Sequence, residues 1–201
     1  MNMNIEANLK FIIPQNTKPY FESSASTGTI PKIHFKTEFK SVLITDIREC
    51  KKPFLLSSHG FELLKHKSNV RNFYDHEEVL NIYEKELKDL LKIHTGANNV
   101  VIFDYTRRGD GKIGAKNPDG LRGPADRVHA DYTDLSGPQR AKDVLGIDNY
   151  ENILKEGGRI VQLNVWRPIN GPVLRSPLAF ADAASIPRKD LVETDQIFPN
   201  R

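Results

Sequence analysis

Two residues of this sequence have the types and the spacing that could bind a metal ion: His129 and Asp131. On an extended segment, side chains at positions i and i+2 point to the same face, so an imidazole nitrogen and a carboxylate oxygen can converge on one ion. Such a pair at a strand end, joined by a second histidine from elsewhere, is the facial triad of non-haem Fe(II) oxygenases. A solvated strand end or a plain His–Asp hydrogen bond explains the same spacing, so the pair alone leaves its chemistry open.

The elements next to this pair must position it. Residues 109–124 contain five glycines and two prolines, a composition that predicts a long loop able to act as a lid over a pocket. After the pair, a short helix is predicted, with Ser136 as its N-cap, Pro138 in its first turn and Gly146 at its end.

The strongest helix signal covers residues 75–95. Asp75 is the expected N-cap, and Glu78 three residues later completes a capping-box pattern. Apolar residues then recur at helical spacing, and Gly96 follows as the stop.

Strands are predicted at residues 32–39, 41–44, 99–105, 159–166 and 177–183, where β-branched and aromatic residues alternate or cluster. The stretch 159–166 places Ile160, Gln162, Asn164 and Trp166 on one face. This face suits either a polar pocket inside a barrel or a solvent-exposed surface with one aromatic residue.

These elements predict a mainly β domain with flanking helices, of the α+β class. A double-stranded β-helix, or jelly roll, is the architecture that would use a His-x-Asp pair at a strand end. Residues 1–201 are expected to form a single domain, with an irregular N-terminal extension over residues 1–50 that contains short strands and an incomplete jelly-roll core over residues 99–201.

Composition narrows the function classes. The net charge of +3, with acidic and basic residues intermixed, argues against a nucleic-acid-binding protein. Cys50 is the only cysteine, so no internal disulfide forms and a cytoplasmic location is expected. The sequence has neither a signal-peptide pattern nor an apolar run long enough to span a membrane. Neither a nucleic acid nor a membrane is therefore expected as a partner.

Five blocks of sequence carry a resemblance to a known family: V-I-F-D-Y-T-R-R, G-P-A-D-R-V-H-A-D-Y-T-D-L-S-G-P-Q-R, V-Q-L-N-V-W-R-P-I-N-G-P-V, S-P-L-A-F-A-D-A-A-S and D-L-V-E-T. Through these blocks, over roughly residues 30–201, the chain resembles the CmcJ-like hydroxylase/desaturase family of fungal and bacterial secondary metabolism. The resemblance implies an oxidoreductase that uses Fe(II) and 2-oxoglutarate to hydroxylate or desaturate a small organic metabolite.

The resemblance also suggests roles for individual residues. The metal ligands would be His129 and Asp131. The catalytic candidates are Tyr132 and Arg167, with Tyr132 and Thr133 as partners that orient the ligands by hydrogen bonds. The candidates for cofactor binding are Arg140, Asn164 and Trp166.

The sequence departs from the family pattern in its distal part. No histidine follows His129, although the family pattern continues past the equivalent of Arg201 with histidines that supply the third ligand. The chain is therefore expected to be C-terminally truncated, or to be completed by a homo- or hetero-oligomeric partner that covers its open sheet edge. The alternative function is that of a non-catalytic remnant or partner subunit of such an oxygenase.

Overall fold

The computed structural model describes residues 4–22, 31–109 and 123–198, arranged in two compact units. The first unit comprises residues 1–63, 106–160 and 174–201, and the second comprises residues 64–105 and 161–173. The predicted lid loop over residues 109–124 lies largely outside the described residues.

A two-stranded antiparallel sheet dominates the first unit. Strand β1 (Asn4–Ile12) pairs with strand β4 (Thr37–Thr45), in a register that sets Asn4 opposite Thr45 and Ile12 opposite Thr37. The strand predicted at 41–44 is confirmed within β4. The prediction of only short strands over residues 1–50 is wrong, because β1 and β4 are each nine residues long and satisfy each other's backbone groups along their whole length.

A second small sheet in this unit has the order β3-β2-β5. Strand β2 (Tyr20–Glu22) runs antiparallel to β3 (Lys32–His34) and parallel to β5 (Asp195–Ile197). Strand β5 was not predicted. The strand predicted at residues 177–183 is wrong, since no ladder forms there and a 3₁₀ turn begins at Ala183 (Ala183–Ser185).

The helices of the first unit are short. They are α1 (Leu56–His59), α4 (Ser136–Leu145) and α5 (Ile147–Lys155), together with 3₁₀ turns at Ile47–Glu49 and Arg188–Asp190. Helix α4 ends at Gly146, which has a φ of 82°, as predicted. The prediction of Ser136 as its N-cap is wrong, because the Thr133 hydroxyl instead accepts hydrogen bonds from the N–H groups of Leu135 and Ser136.

One continuous helical stretch forms the main element of the second unit, and it confirms the prediction over residues 75–95. It consists of α2 (His76–Glu78), a π-helical turn (Val79–Tyr83) and α3 (Glu84–Thr95), and it ends at Gly96 with a φ of 70°. Asp75 caps its N-terminus by accepting from the N–H groups of Glu77 and Glu78 at 2.9 and 3.4 Å. The second half of the capping box is absent, because the Glu78 carboxylate accepts instead from two backbone N–H groups at residues 71 and 72.

The strands predicted at residues 99–105 and 159–166 are wrong. Neither run belongs to a ladder within the described parts of the chain. Their apolar side chains are correspondingly open, with Val101 exposed to 45%, Phe103 to 39% and Val165 to 44%. Strand propensity reflects how well a side chain packs on a paired, half-buried surface, so a β-prone run without a partner strand stays irregular.

Few hydrophobic side chains are enclosed among the described residues. The buried ones are Phe61, Leu87 and Ala141. In the first unit, Phe61 stacks with Phe54 and with Phe180, at ring-centroid distances of 5.0 and 5.2 Å. None of the helices within residues 4–22, 31–109 and 123–198 combines the length and the apolar character needed to cross a bilayer. The described residues thus form mixed small sheets and helices, with a core of limited size.

Candidate metal centre

His129 and Asp131 converge in the first unit, as their spacing predicts. The Nε2 atom of His129 lies 3.4 Å from Oδ1 of Asp131. The two side chains are about half-exposed, so an ion from solvent can reach the point between them. The pair therefore offers one nitrogen and one oxygen ligand on the same side of the segment.

The contact made by the other ring nitrogen of His129, Nδ1, fixes the orientation of the imidazole. Nδ1 lies 2.8 Å from the carbonyl oxygen of Arg127, and a carbonyl oxygen can only accept, so Nδ1 must carry a proton. A neutral imidazole then turns the lone pair of Nε2 toward the Asp131 carboxylate. Two lone pairs at this distance repel each other, and a cation between them, either a proton or a metal ion, relieves the repulsion.

The ionisation of His129 agrees with this geometry. The hydrogen bond to the Asp131 carboxylate raises the pKa of His129, and the bond to the Arg127 carbonyl adds to the effect. Partial burial and the nearby Arg108 guanidinium act in the opposite direction, without reversing the shift.

The segment before the pair is anchored to strand β1. Lys10 and Arg127 form an isolated parallel bridge, in which the Val128 N–H donates to the Lys10 carbonyl at 3.0 Å. The Lys10 ammonium also bonds the Asp126 carboxylate at 2.5 Å. Sequence reasoning missed these contacts, because nothing in the local pattern around residue 127 indicates a partner more than 100 residues earlier in the chain.

The described residues bring together two candidate ligands and not a third. Within residues 4–22, 31–109 and 123–198, no group of three or more His, Cys, Asp or Glu side chains is placed to hold a metal ion. The chemistry of the His129–Asp131 donor pair fits Fe(II), which accepts imidazole and carboxylate ligands. A complete facial triad is not formed by this part of the chain.

Three further residues with predicted roles follow the pair in the first unit. Tyr132 is 40% exposed. The Thr133 hydroxyl accepts from the N–H groups of Leu135 and Ser136 at the start of helix α4. Arg140 lies on helix α4 and is half-buried.

The remaining predicted site residues belong to the second unit, in the run that the sequence identified as a strand. Asn164 is exposed, and Trp166 is exposed to 43%. Arg167 is engaged with its own unit: its guanidinium donates to the His66 carbonyl at 3.2 Å and lies 3.3 Å from His66 Nδ1. The same group lies over the rings of Phe73 and Tyr83, at 5.1 and 5.3 Å from their centroids.

Comparison with protein families gives one match that covers nearly the whole chain. The family model described as "Oxidoreductase/YMDC permease-like domain" matches residues 9–201.

Curated relatives are fungal proteins. The chain is 34% identical over 166 residues to "Alpha-ketoglutarate-dependent dioxygenase phiK" from Fungal sp., a match that covers 81% of this chain and 58% of that protein. It is 30% identical over 184 residues to "Hydroxylase/desaturase CTB9" from Cercospora beticola, covering 87% of this chain and 56% of that protein. The chain thus spans little more than half the length of the curated relatives it matches.

The solved structures contain a similar fold. The match is to "iron and alpha-ketoglutarate-dependent endoperoxidase NvfI", with a TM-score of 0.61 and 23% sequence identity. It covers 76% of this chain and 55% of that chain. At this level of identity the likeness establishes a shared fold over the matched residues.

Proposed function

The chain belongs to the oxidoreductase/YMDC permease-like domain family, and on this premise we propose that it is part of a non-haem Fe(II)- and 2-oxoglutarate-dependent oxygenase. The reaction we assign to the complete enzyme is hydroxylation or desaturation of a small organic metabolite. The names of the relatives phiK and CTB9 support this reaction class. The more specific assignment to the CmcJ-like group rests on the sequence blocks alone.

The observation that carries the proposal is the convergence of His129 Nε2 and Asp131 Oδ1 at 3.4 Å, with Nδ1 already committed to a carbonyl. These two atoms would hold the metal ion. With 2-oxoglutarate bound, Fe(II) supplies the activation of dioxygen that C–H oxidation requires. The contribution of the protein is to hold its two ligands in one orientation before the ion arrives.

A third metal ligand must come from outside the described residues or from another chain. Relatives such as phiK are longer than this chain, since the match covers 58% of that protein. The proposal therefore includes a homo- or hetero-oligomeric partner, or further residues, that complete both the ligand set and the jelly roll. The likeness to the NvfI fold supports the jelly roll, and the assignment of residues 1–201 to a single domain stays a prediction.

The roles of the other predicted site residues are also part of the proposal. They are catalytic roles for Tyr132 and Arg167 and cofactor binding by Arg140, Asn164 and Trp166. For Arg167, the contacts with His66 and two aromatic rings support a structural role at least as strongly. The cytoplasmic location stays a prediction based on Cys50.

A second candidate function follows from the two-ligand pair. A chain that contributes only His129 and Asp131 binds metal weakly, which favours a non-catalytic remnant or a subunit that needs its partner.

Anaerobic titration of the purified chain with Fe(II), with and without 2-oxoglutarate, separates these functions. Stoichiometric binding, with the visible charge-transfer absorbance of an iron–2-oxoglutarate complex, is the result expected if the chain or its oligomer completes the site. His129→Ala should abolish that absorbance, whereas His94→Ala, at an exposed position near the end of helix α3, should leave it unchanged. Absence of binding by the unsubstituted chain would favour the non-catalytic function, and full binding by the His129→Ala variant would overturn the ligand assignment.

A further inference from the structure

We propose that Arg127 is the positioning residue of the candidate metal centre, held by contacts with two aromatic rings so that its main-chain carbonyl keeps His129 in the orientation that binds metal. This inference rests on the proposed function for its purpose. The local geometry can be tested without it.

The backbone of Arg127 is held by strand β1. Its parallel bridge with Lys10 includes the 3.0 Å hydrogen bond from the Val128 N–H to the Lys10 carbonyl. Strand β1 is paired along its whole length with β4, so this bridge ties residue 127 to the longest ladder of the first unit. The peptide that carries the Arg127 carbonyl is therefore not free to rotate.

The side chain of Arg127 adds a second anchor. Its guanidinium lies 5.7 Å from the ring centroid of Phe21 and 5.3 Å from that of Phe35, and only 27% of the side chain is exposed. Phe21 is in the middle of strand β2, and Phe35 directly follows strand β3. A planar, delocalised cation can stack on aromatic faces, a contact that a lysine ammonium does not reproduce.

These two anchors determine the direction of a single carbonyl group. That carbonyl lies 2.8 Å from His129 Nδ1. This contact explains why Nδ1 carries the proton and why Nε2 faces Asp131. Partners that hold the non-ligating nitrogen of a histidine typically contribute a 10- to 100-fold effect on metal affinity. Arg127 thus acts on the metal site through the main chain, while its guanidinium lies over the aromatic rings and 3.8 Å from the Asp126 carboxylate.

The test compares Arg127→Ala, Arg127→Lys and Phe35→Leu with the matched control Lys40→Met. Lys40 also lies over a phenylalanine ring, at 5.9 Å from the centroid of Phe11, but it has no contact with the segment before His129 among those described. Two quantities are measured: the tautomer of the neutral His129 imidazole by ¹⁵N NMR, assigned with His129→Gln, and the affinity for Co(II) as a spectroscopic substitute for Fe(II).

In the unsubstituted chain, Nδ1 should carry the proton. Arg127→Ala and Phe35→Leu should give a mixture of tautomers and about a tenfold loss of Co(II) affinity. Arg127→Lys should give an intermediate result, and Lys40→Met should behave as the unsubstituted chain does. If Arg127→Ala prevents folding, Phe35→Leu and Arg127→Lys carry the test.

The positioning role would be overturned if the folded variants at positions 127 and 35 kept the Nδ1–H tautomer and bound Co(II) with an affinity within twofold of that of the unsubstituted chain. Failure of the unsubstituted chain to bind Co(II) would count against the proposed function. The tautomer measurement, which needs no metal, would still decide the role of Arg127.

Discussion

Arg127 in the first unit and Arg167 in the second use the same means of anchoring and serve different parts of the molecule. Each guanidinium lies over two aromatic rings, at centroid distances of 5.3 and 5.7 Å for Arg127 and of 5.1 and 5.3 Å for Arg167. Arg127 then presents its main-chain carbonyl to His129. Arg167, in contrast, makes its hydrogen bonds with its side chain. Its guanidinium donates to the His66 carbonyl and lies close to the His66 ring nitrogen Nδ1.

The described contacts of Arg167 connect parts of its own unit. The guanidinium of Arg167 joins residue 66 to the run 161–173, and its Nε is buried without a hydrogen-bond partner. Arg127 contacts His129 through its main-chain carbonyl oxygen, an atom that every residue type has. The side chain of residue 127 can therefore be changed without removing this contact outright.

The largest effect on stability is expected from Arg167→Ala. The substitution removes two cation–π contacts and a hydrogen bond to the His66 carbonyl, which together should lower the free energy of unfolding by about 2 kcal/mol. Urea unfolding followed by circular dichroism measures the change. The tautomer of His129 should be unaffected.

The matched control is Arg159→Ala, at an exposed position, which should change stability by less than about 0.5 kcal/mol. If Arg167→Ala changed the stability as little as Arg159→Ala does, the aromatic contacts would not anchor the second unit. The comparison between the two arginines would then fail.

A smaller effect is expected at the start of the helix that carries Tyr83, one of the two rings against Arg167. Asp75→Ala removes the cap that accepts from the N–H groups of Glu77 and Glu78, at a cost of about 1 kcal/mol in the free energy of unfolding. Asp89→Ala, on the exposed side of the same helix, is the control and should be nearly neutral. Equal effects of the two substitutions, measured by thermal unfolding, would mean that the cap does not stabilise this helix.

What the sequence could predict follows from how far apart the interacting residues are. The helix over residues 75–95 was predictable because its cap, its apolar face and Gly96 all lie within one local segment. The His129–Asp131 convergence was predictable for the same reason, since a spacing of two residues is enough.

The contacts that hold the candidate site could not be predicted in this way. Phe21 and Phe35 lie about 100 residues before Arg127, and no local pattern links an arginine to rings at that distance. The strand prediction for residues 159–166 is wrong for the complementary reason. These residues favour a strand, but a strand exists only with a hydrogen-bonded neighbour. In both cases the deciding information is non-local.

Acid should weaken the second unit through Glu84. Its carboxylate accepts from the Lys88 ammonium at 2.5 Å and from the Tyr105 hydroxyl at 2.8 Å, and these bonds hold the pKa of Glu84 below its ordinary value, against the effect of burial. A carboxyl whose pKa is lowered on folding stabilises the protein above its unfolded pKa, and it loses that contribution as the pH falls through the folded pKa. The loss should therefore begin below about pH 4.5.

Glu84→Gln should make stability less dependent on pH in this range, with a difference of roughly 0.5 kcal/mol at neutral pH. Urea midpoints measured at several pH values between neutral and acidic test this. A variant that loses stability with acid as steeply as the unsubstituted chain would show that Glu84 is not the group responsible. Glu77→Gln, with an exposed carboxyl on the same helical stretch, is the matched control.

The smallest effect is expected from the ion pair beside Arg127. The Asp126 carboxylate lies 2.5 Å from the Lys10 ammonium, but 67% of the Asp126 side chain is exposed, so water and salt screen the attraction. A double-mutant cycle with Lys10→Met and Asp126→Asn should give a coupling energy of only a few tenths of a kcal/mol, decreasing further at high salt. Because the aromatic contacts of Arg127 are less exposed, Asp126→Asn should leave the His129 tautomer unchanged where Arg127→Ala alters it. A tautomer change with Asp126→Asn as large as with Arg127→Ala would move the anchor of the metal pair from the aromatic rings to the ion pair.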